Sequence, residues 1–208
     1  MDIQFHGANC ITISNKQTRL VFDDNLSDLG AKPVVKDGDI VFYTGPHGDP
    51  SAKTHLVIDH PGEYEVSEVS IYGVALRGHM DEEGKRSNTA YKLIVDDTRI
   101  LVVGHAYPEL SESELEAIGI VDIMFVPVGG NGYTTDPIGA LKLIKKIEPK
   151  LAIPTHYDDK SLNFPVPQQT LEQAITALSM EPKETVDKLR LKSSDFAEGT
   201  QLVVVTKS

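Results

Sequence analysis

The chain has one cysteine, no tryptophan, no long apolar run and few basic residues. With Cys10 alone, no intramolecular disulfide can close and no thiolate zinc cluster can assemble. Twenty lysines and arginines face 31 aspartates and glutamates, a formal net charge of −11. A phosphate-backbone surface needs clustered cations, so nucleic acid is not an expected partner. The opening "MDIQFHGANC" shows no basic stretch leading into an apolar one, which argues against a targeting segment and against a membrane anchor. The simplest reading is a cytosolic protein. Its 208 residues, 40% hydrophobic and 25% charged, suit a single soluble domain spanning 1–208.

The residues that are present fall into two halves. The first is strand-rich: "IQFHG", "CITIS", "TRLVFDD", "DIVFYT", "HLVID", "VSIYGVALR", "TAYKLIVDD" and "RILVVG" are short β-leaning runs between turn residues. Asp96-Asp97-Thr98 has the composition of a hairpin turn, and "HMDEEGKRSN" that of a solvated loop. The second half alternates. "SESELEAIG" carries a capping box, Ser111 with Glu114, and stops at Gly119. "VDIMFVPVGG" and "KLAIP" are apolar enough for strands covered on both faces. "DPIGALKLIKKI" places Asp136 at the N-cap and Pro137 at the first helical position, with Ile138, Leu141, Ile144 and Ile147 at helical spacing. "PQQTLEQAITAL" is another amphipathic helix, and "KLRLKSSDFAEGTQLVVVT" reads as two closing strands. Early strands and late strand–helix alternation imply an α/β (α+β) chain of layered sheets with helices outside.

Seven histidines are present, and four share one context. His47, with Asp49 two residues on, follows "DIVFYT"; His79 follows "VSIYGVALRG", His105 follows "RILVVG", and His156 follows "KLAIPT". Sheet-based folds place ligands just past the ends of their strands. Four imidazoles and a carboxylate meeting there would suit zinc or a similar divalent ion. Any one of these histidines, taken singly, reads as a solvated loop residue. Asp23 and Asp24 end another strand and read as turn formers. Cys10 reads as a small buried apolar residue, and the glycine-rich "PVGGNGYTTDP" leads to a helix N-terminus whose Asp136 would oppose a bound phosphate.

From about Val57 onward the chain resembles the metallo-β-lactamase superfamily, and within it the branch of zinc-dependent hydrolases that includes the L-ascorbate-6-phosphate lactonases. The resemblance lies in "VIDHPGEYEV", "GKRSNTAYKLIVDDTRILVVG", "ELSESELEAIGIVDIMFVPVGG", "YTTDP" and "KLAIPTHY", which keep the family's order and spacing. It implies a four-layer αββα sandwich whose strand ends hold one or two metals. The family's H-x-H-x-D-H motif falls on Gly45, His47, Asp49 and Pro50, so two of its four ligands are absent. His79 matches the next metal-binding histidine, His156 the last, and His105 stands where a bridging aspartate is usual. The resemblance also implies pocket positions for Tyr133, Thr134 and Tyr157, and leaves a homo-oligomer open.

An imidazole adds no negative charge to offset two cations held about 3.5–4 Å apart, so two tightly bound metals are not expected. The expectation is one divalent ion, zinc or else manganese, bound by His47, His79, His105 and His156 or by three of these with Asp49. An open fourth position would then serve a small-molecule ester, lactone or phosphorylated substrate, with Asp49 as general base. If all four histidines bind, the metal is closed off from catalysis. The competing expectation is a catalytically inactive relative that binds a ligand or a partner protein.

Overall fold

The computed structural model describes residues 1–191 and 196–208. Two sheets face one another. The first has six strands: β1 (Asp2–Gly7), β2 (Cys10–Ser14), β3 (Arg19–Phe22), β4 (Ile40–Phe42), β5 (Leu56–Ile58) and β13 (Leu189–Arg190). In space they run β13-β1-β2-β3-β4-β5. The second has eight: β6 (Gly62–Val66), β7 (Val69–Leu76), β8 (Asn88–Val95), β9 (Thr98–Val102), β10 (Ile123–Pro127), β11 (Leu151–Thr155), β12 (Pro182–Val186) and β14 (Gln201–Val205). Their order is β12-β14-β11-β10-β9-β8-β7-β6. The closing stretch yields β13 and β14 as expected, while its residues 192–195 lie outside the described part.

The pairing follows the sequence pattern. Asp96 and Asp97 take positive φ (47° and 61°) and close the antiparallel β8–β9 hairpin, as their short polar side chains allow. β10 and β11 are buried at every position and pair in parallel, which is why they read as continuous apolar runs. α1 (Glu112–Ile118) has the Ser111–Glu114 capping box, and α2 (Pro137–Ile147) has Asp136 accepting from Gly139 N–H. α3 (Leu171–Leu178) begins with a second box, Thr170 with Gln173. Of the four residues expected at helical spacing on α2, Ile144 is buried and Leu141 and Ile147 pack against the core, while Ile138 is exposed; Ala140 and Leu143 complete the buried face.

One core fills the space between the sheets, from Ile3, Phe5 and Ile11 to Ile153 and Val203. At its centre Phe22 stacks on Phe42 (centroids 4.4 Å apart), and Tyr91 meets Phe42 edge-on at 5.4 Å. Such pairs add about 0.5–1.5 kcal/mol each beyond area burial. A second core packs α1, α2 and α3 on the eight-stranded sheet. The outer face of the six-stranded sheet is covered differently, by a 3-10 turn (Leu26–Leu29) and loop residues such as Val35 and Leu162. The two-sheet sandwich expected from sequence is therefore present, with its fourth layer made of loops among the described residues. None of the described helices is long and apolar enough to cross a membrane.

Candidate active site

Because β7 and β9 both pair antiparallel with β8, they run in the same direction, and β9, β10 and β11 are parallel. The C-terminal ends of β7, β9, β10 and β11 thus share one edge of the sheet. His79 leaves β7 and His105 leaves β9; their loops are tied by His79 N–H donating to His105 C=O (2.6 Å). His156 leaves β11 in the left-handed region (φ 51°), its N–H donating to Ala8 C=O at 2.7 Å. All three, with Tyr133 from the β10–α2 loop, line one cavity of about 450 Å³.

The rings are close and held from behind. His105 and His156 meet edge-to-face with centroids 4.8 Å apart. His105 Nδ1 lies 2.9 Å from Thr134 Oγ1, and His156 Nδ1 lies 3.2 Å from Gln168 Oε1. Each ring therefore has its Nδ1 engaged, which fixes its orientation. His79 differs: its Nδ1 is buried with no partner among the described residues.

Burial lowers the pKa of all three. It pushes the His156 imidazole down to about 4, despite the opposing bond from Gln168. It pushes His105 well below the ordinary imidazole range, helped by repulsion from His156 and His79, and it lowers His79 as well. Neutral imidazole is the form that binds a metal.

The six-stranded sheet supplies the opposite wall. Asp23 follows β3 at φ 46° and accepts from both the N–H and the hydroxyl of Thr44, each at 2.7 Å. Burial raises its carboxyl to about 6 against those two bonds. Asp81 also borders the cavity, but its oxygens are taken by Gly78 N–H, Ser87 N–H and the Ser87 hydroxyl. Burial alone would raise it; those bonds outweigh burial and hold it below the ordinary carboxylate range.

The other expected site residues fall elsewhere. His47 stacks on Tyr43 (centroids 3.8 Å apart), with Nε2 3.2 Å from Asp59 Oδ2 and Nδ1 2.7 Å from Gly48 O. It does not line the cavity, and neither does Asp49, which is exposed. Gly45 and Pro46 of the same loop do border the cavity, but neither has a side chain that can bind a metal. Thr134, expected in the pocket wall, is fully buried behind His105. Tyr157 is part of the packed interior, its ring 5.4 Å from Phe5. Sequence reading missed Asn9, Asn88 and Gln168; each is an uncharged polar residue at a strand end or in a loop, with no motif around it.

Two cations would need a shared carboxylate, and the described residues place none between these imidazoles. Among the described residues, no three histidine, cysteine, aspartate or glutamate side chains stand together at metal-holding separation. The cavity does offer a divalent ion neutral nitrogen: two imidazoles with Nδ1 already engaged and a third with an orphaned Nδ1. That donor chemistry suits a zinc-type cation.

A two-sheet sandwich with helices on the larger sheet and histidines at its strand ends defines a class of metal-site folds. The chain belongs to the β-lactamase superfamily domain family, whose profile matches residues 2–156. It is 26% identical over 191 residues to a metal-dependent hydrolase of Thermoplasma acidophilum, covering 76% of this chain and 84% of that protein. A second relative, a metal-dependent hydrolase of Thermoplasma volcanium, is also 26% identical, over 76% of this chain and 85% of that one. A crystal structure described as a zinc-dependent hydrolase of the metallo-β-lactamase superfamily, from Thermotoga maritima, superposes with a TM-score of 0.79 at 24% identity, covering 99% of this chain and 98% of that one. A metal-dependent hydrolase from Parabacteroides distasonis superposes at 0.68 with 18% identity, over 99% and 93% of the two chains. These two structures establish the shared fold.

Proposed function

We infer that the chain is a metal-dependent hydrolase acting on a small ester, lactone or phosphorylated molecule, with one divalent ion, zinc by preference, held by His79, His105 and His156. The observation that carries this reading is that three histidines, from the ends of β7, β9 and β11, line one cavity, with the rings of His105 and His156 in contact. A cation bound there supplies Lewis acidity, polarising a substrate oxygen and acidifying water to a pKa of about 7.

The chain's own residues do the rest. Thr134 and Gln168 hold the rings of His105 and His156 in place. His79 is the ring free to adjust, being partly exposed with Nδ1 unpartnered among the described residues. Asp23, which lines the same cavity with a carboxyl near 6, is the carboxylate we assign to take the proton from water. Asp49 is too exposed, and outside the cavity, to serve as the base.

A second reading is ligand binding without hydrolysis. It is favoured by the lack of any three-ligand group in the described residues and by the outward placement of His47 and Asp49. One experiment separates the two: zinc titration by calorimetry on chelator-stripped protein, alongside turnover of a lactone and of a phosphate ester. The hydrolase reading expects roughly one equivalent of zinc per chain and turnover that disappears in His79→Ala and His156→Ala. Failure to bind zinc or manganese, together with no turnover, would leave the binding module.

A further inference from the structure

Apolar side chains scattered singly over a surface are ordinary, but one held out at the edge of a candidate site needs an explanation. Among the described residues four large hydrophobic side chains are exposed: Leu56, Met80, Ile120 and Ile138. Of these only Met80 lines the cavity that holds the three histidines, and it is the most open of the four at 72%. It follows His79 directly in the chain.

The turn that carries Met80 is tied down on both sides. Asp81 N–H donates to Gly78 C=O at 3.0 Å, and the Asp81 carboxylate accepts from Gly78 N–H, Ser87 N–H and the Ser87 hydroxyl. Arg77 Nε and Nη2 both donate to Asp81 C=O, at 3.1 and 2.9 Å, and the same guanidinium lies 4.1 Å over the Tyr107 ring. Tyr107 N–H donates in turn to Arg77 C=O at 2.8 Å, and His79 N–H donates to His105 C=O. The backbone under Met80 is therefore fixed relative to His79 and His105. Its own side chain is unbranched and adapts to whatever lies against it.

The rest of the lining narrows what that is. Leu29, half-buried in the 3-10 turn after β3, lines the same cavity. Lys85 is the one lysine of the described lining, and its ammonium is drawn to Asp81, 3.6 Å away. No arginine of the described residues lines the cavity. A phosphorylated arm would thus meet no uncommitted basic side chain among them, whereas an apolar arm gains by covering Met80.

We propose that Met80 sets specificity: with Leu29 it receives the apolar acyl arm of an open-chain ester whose carbonyl lies at the histidines. The proposal rests on the hydrolase reading for its chemistry and narrows the substrates to esters with an apolar arm. In that hydrolysis the water oxygen bonds to the carbonyl carbon, the carbon–alkoxy bond breaks, and a water proton ends on the leaving alcohol. The arm takes no part in these steps. It contributes binding, about fourfold for each methylene group that the cavity wall takes out of water.

The test uses ethyl hexanoate and ethyl acetate, esters of the same alcohol that differ in the arm. Binding is read by NMR on metal-free protein with isotope-labelled methionine methyl groups. The chain has four methionines, and the Met80 signal is the one lost in Met80→Leu. Turnover is read on zinc-loaded protein. Ethyl hexanoate should shift the Met80 signal and ethyl acetate should not. The ratio of kcat/KM for hexanoate over acetate should be at least about tenfold in wild type and in Met80→Leu, and at least about fivefold smaller in Met80→Ser. Serine at so exposed a position takes nothing from the core, so this variant should fold as wild type does. Absence of a Met80 shift with ethyl hexanoate, equal shifts with both esters, or a ratio unchanged in Met80→Ser would overturn the proposal. A shift with the hexanoate alone, and turnover of neither ester, would support this recognition and overturn the hydrolase reading alone.

Discussion

Gly104 precedes His105 and has no room for a side chain. A Cβ there would lie 2.2 Å from Thr44 Oγ1, 2.4 Å from Thr44 Cβ and 2.8 Å from Asn88 Oδ1, and φ is +62°. Thr44 cannot yield without breaking its two bonds to Asp23, so this glycine lets the two sheets approach at the cavity. Gly104→Ala should therefore destabilise by about 3 kcal/mol through overpacking and backbone strain. Gly38 is the control, with φ +85° but nothing within 4 Å of the added carbon. Gly38→Ala should cost about 1 kcal/mol, from backbone conformation alone. Urea unfolding of the two variants gives the comparison, and equal losses would mean that the contact between Gly104 and Thr44 is not tight. At this scale the sequence showed where imidazoles follow strands, but not which of their neighbours stand behind them. Thr134 and Gln168 acquire their roles only when distant loops close on the strand ends.

Between elements, the loop after β4 takes a different course from the loops after β7, β9 and β11. The three strands of the larger sheet deliver His79, His105 and His156 to the cavity, while the loop after β4 turns His47 onto Tyr43 and Asp59. His60 Nδ1 is 2.5 Å from the other oxygen of the same aspartate. Burial would raise the Asp59 carboxyl, but its bonds to His60 and His47 outweigh that and lower it. His47→Ala should accordingly leave zinc affinity within about twofold of wild type, whereas His156→Ala should weaken it at least about a hundredfold. Calorimetry on both variants decides the matter; a large loss in His47→Ala would put this loop back in the site. Most strands were readable because they alternate or run apolar. β6 ("GEYEV") and β12 ("PKETV") were not, since both are edge strands, polar and largely exposed, whose pairing comes from a neighbour and not from their own pattern. The capping box of α1 and the Asp136–Pro137 start of α2 were legible because a cap is a local bond between residues three apart. The pull of Asp59 on His47 was not, because nothing in the spacing of the two signals that they pair.

Across the whole molecule the two edges of the larger sheet have opposite tasks. The C-terminal edge opens into the histidine-lined cavity, and the N-terminal edge is stapled shut by Asp122. That carboxylate accepts from Arg99 Nε and Nη2, both at 2.8 Å, and from Arg99 N–H at 3.0 Å, with Lys150 Nζ 3.3 Å away. It thereby joins the starts of β9, β10 and β11, the three strands whose other ends carry or flank the site. Burial alone would raise its pKa, but the bonds and charge of Arg99, then Lys150, hold it below the ordinary 3.8. A folded-state value below the unfolded one means that the unfolded chain takes up the proton first as pH falls. The stability Asp122 contributes is then complete above the unfolded pKa of about 3.9 and drains away as pH drops through the lower folded value. Asp122→Asn should cost about 3 kcal/mol at neutral pH, because Arg99 loses a buried, charged partner. That cost should shrink when the same urea titration is run at about pH 3, below the unfolded pKa of about 3.9, where the unfolded chain already holds the proton. A penalty unchanged between the two conditions would show that Asp122 acts through hydrogen-bond geometry alone and that its charge does not hold this edge of the sheet.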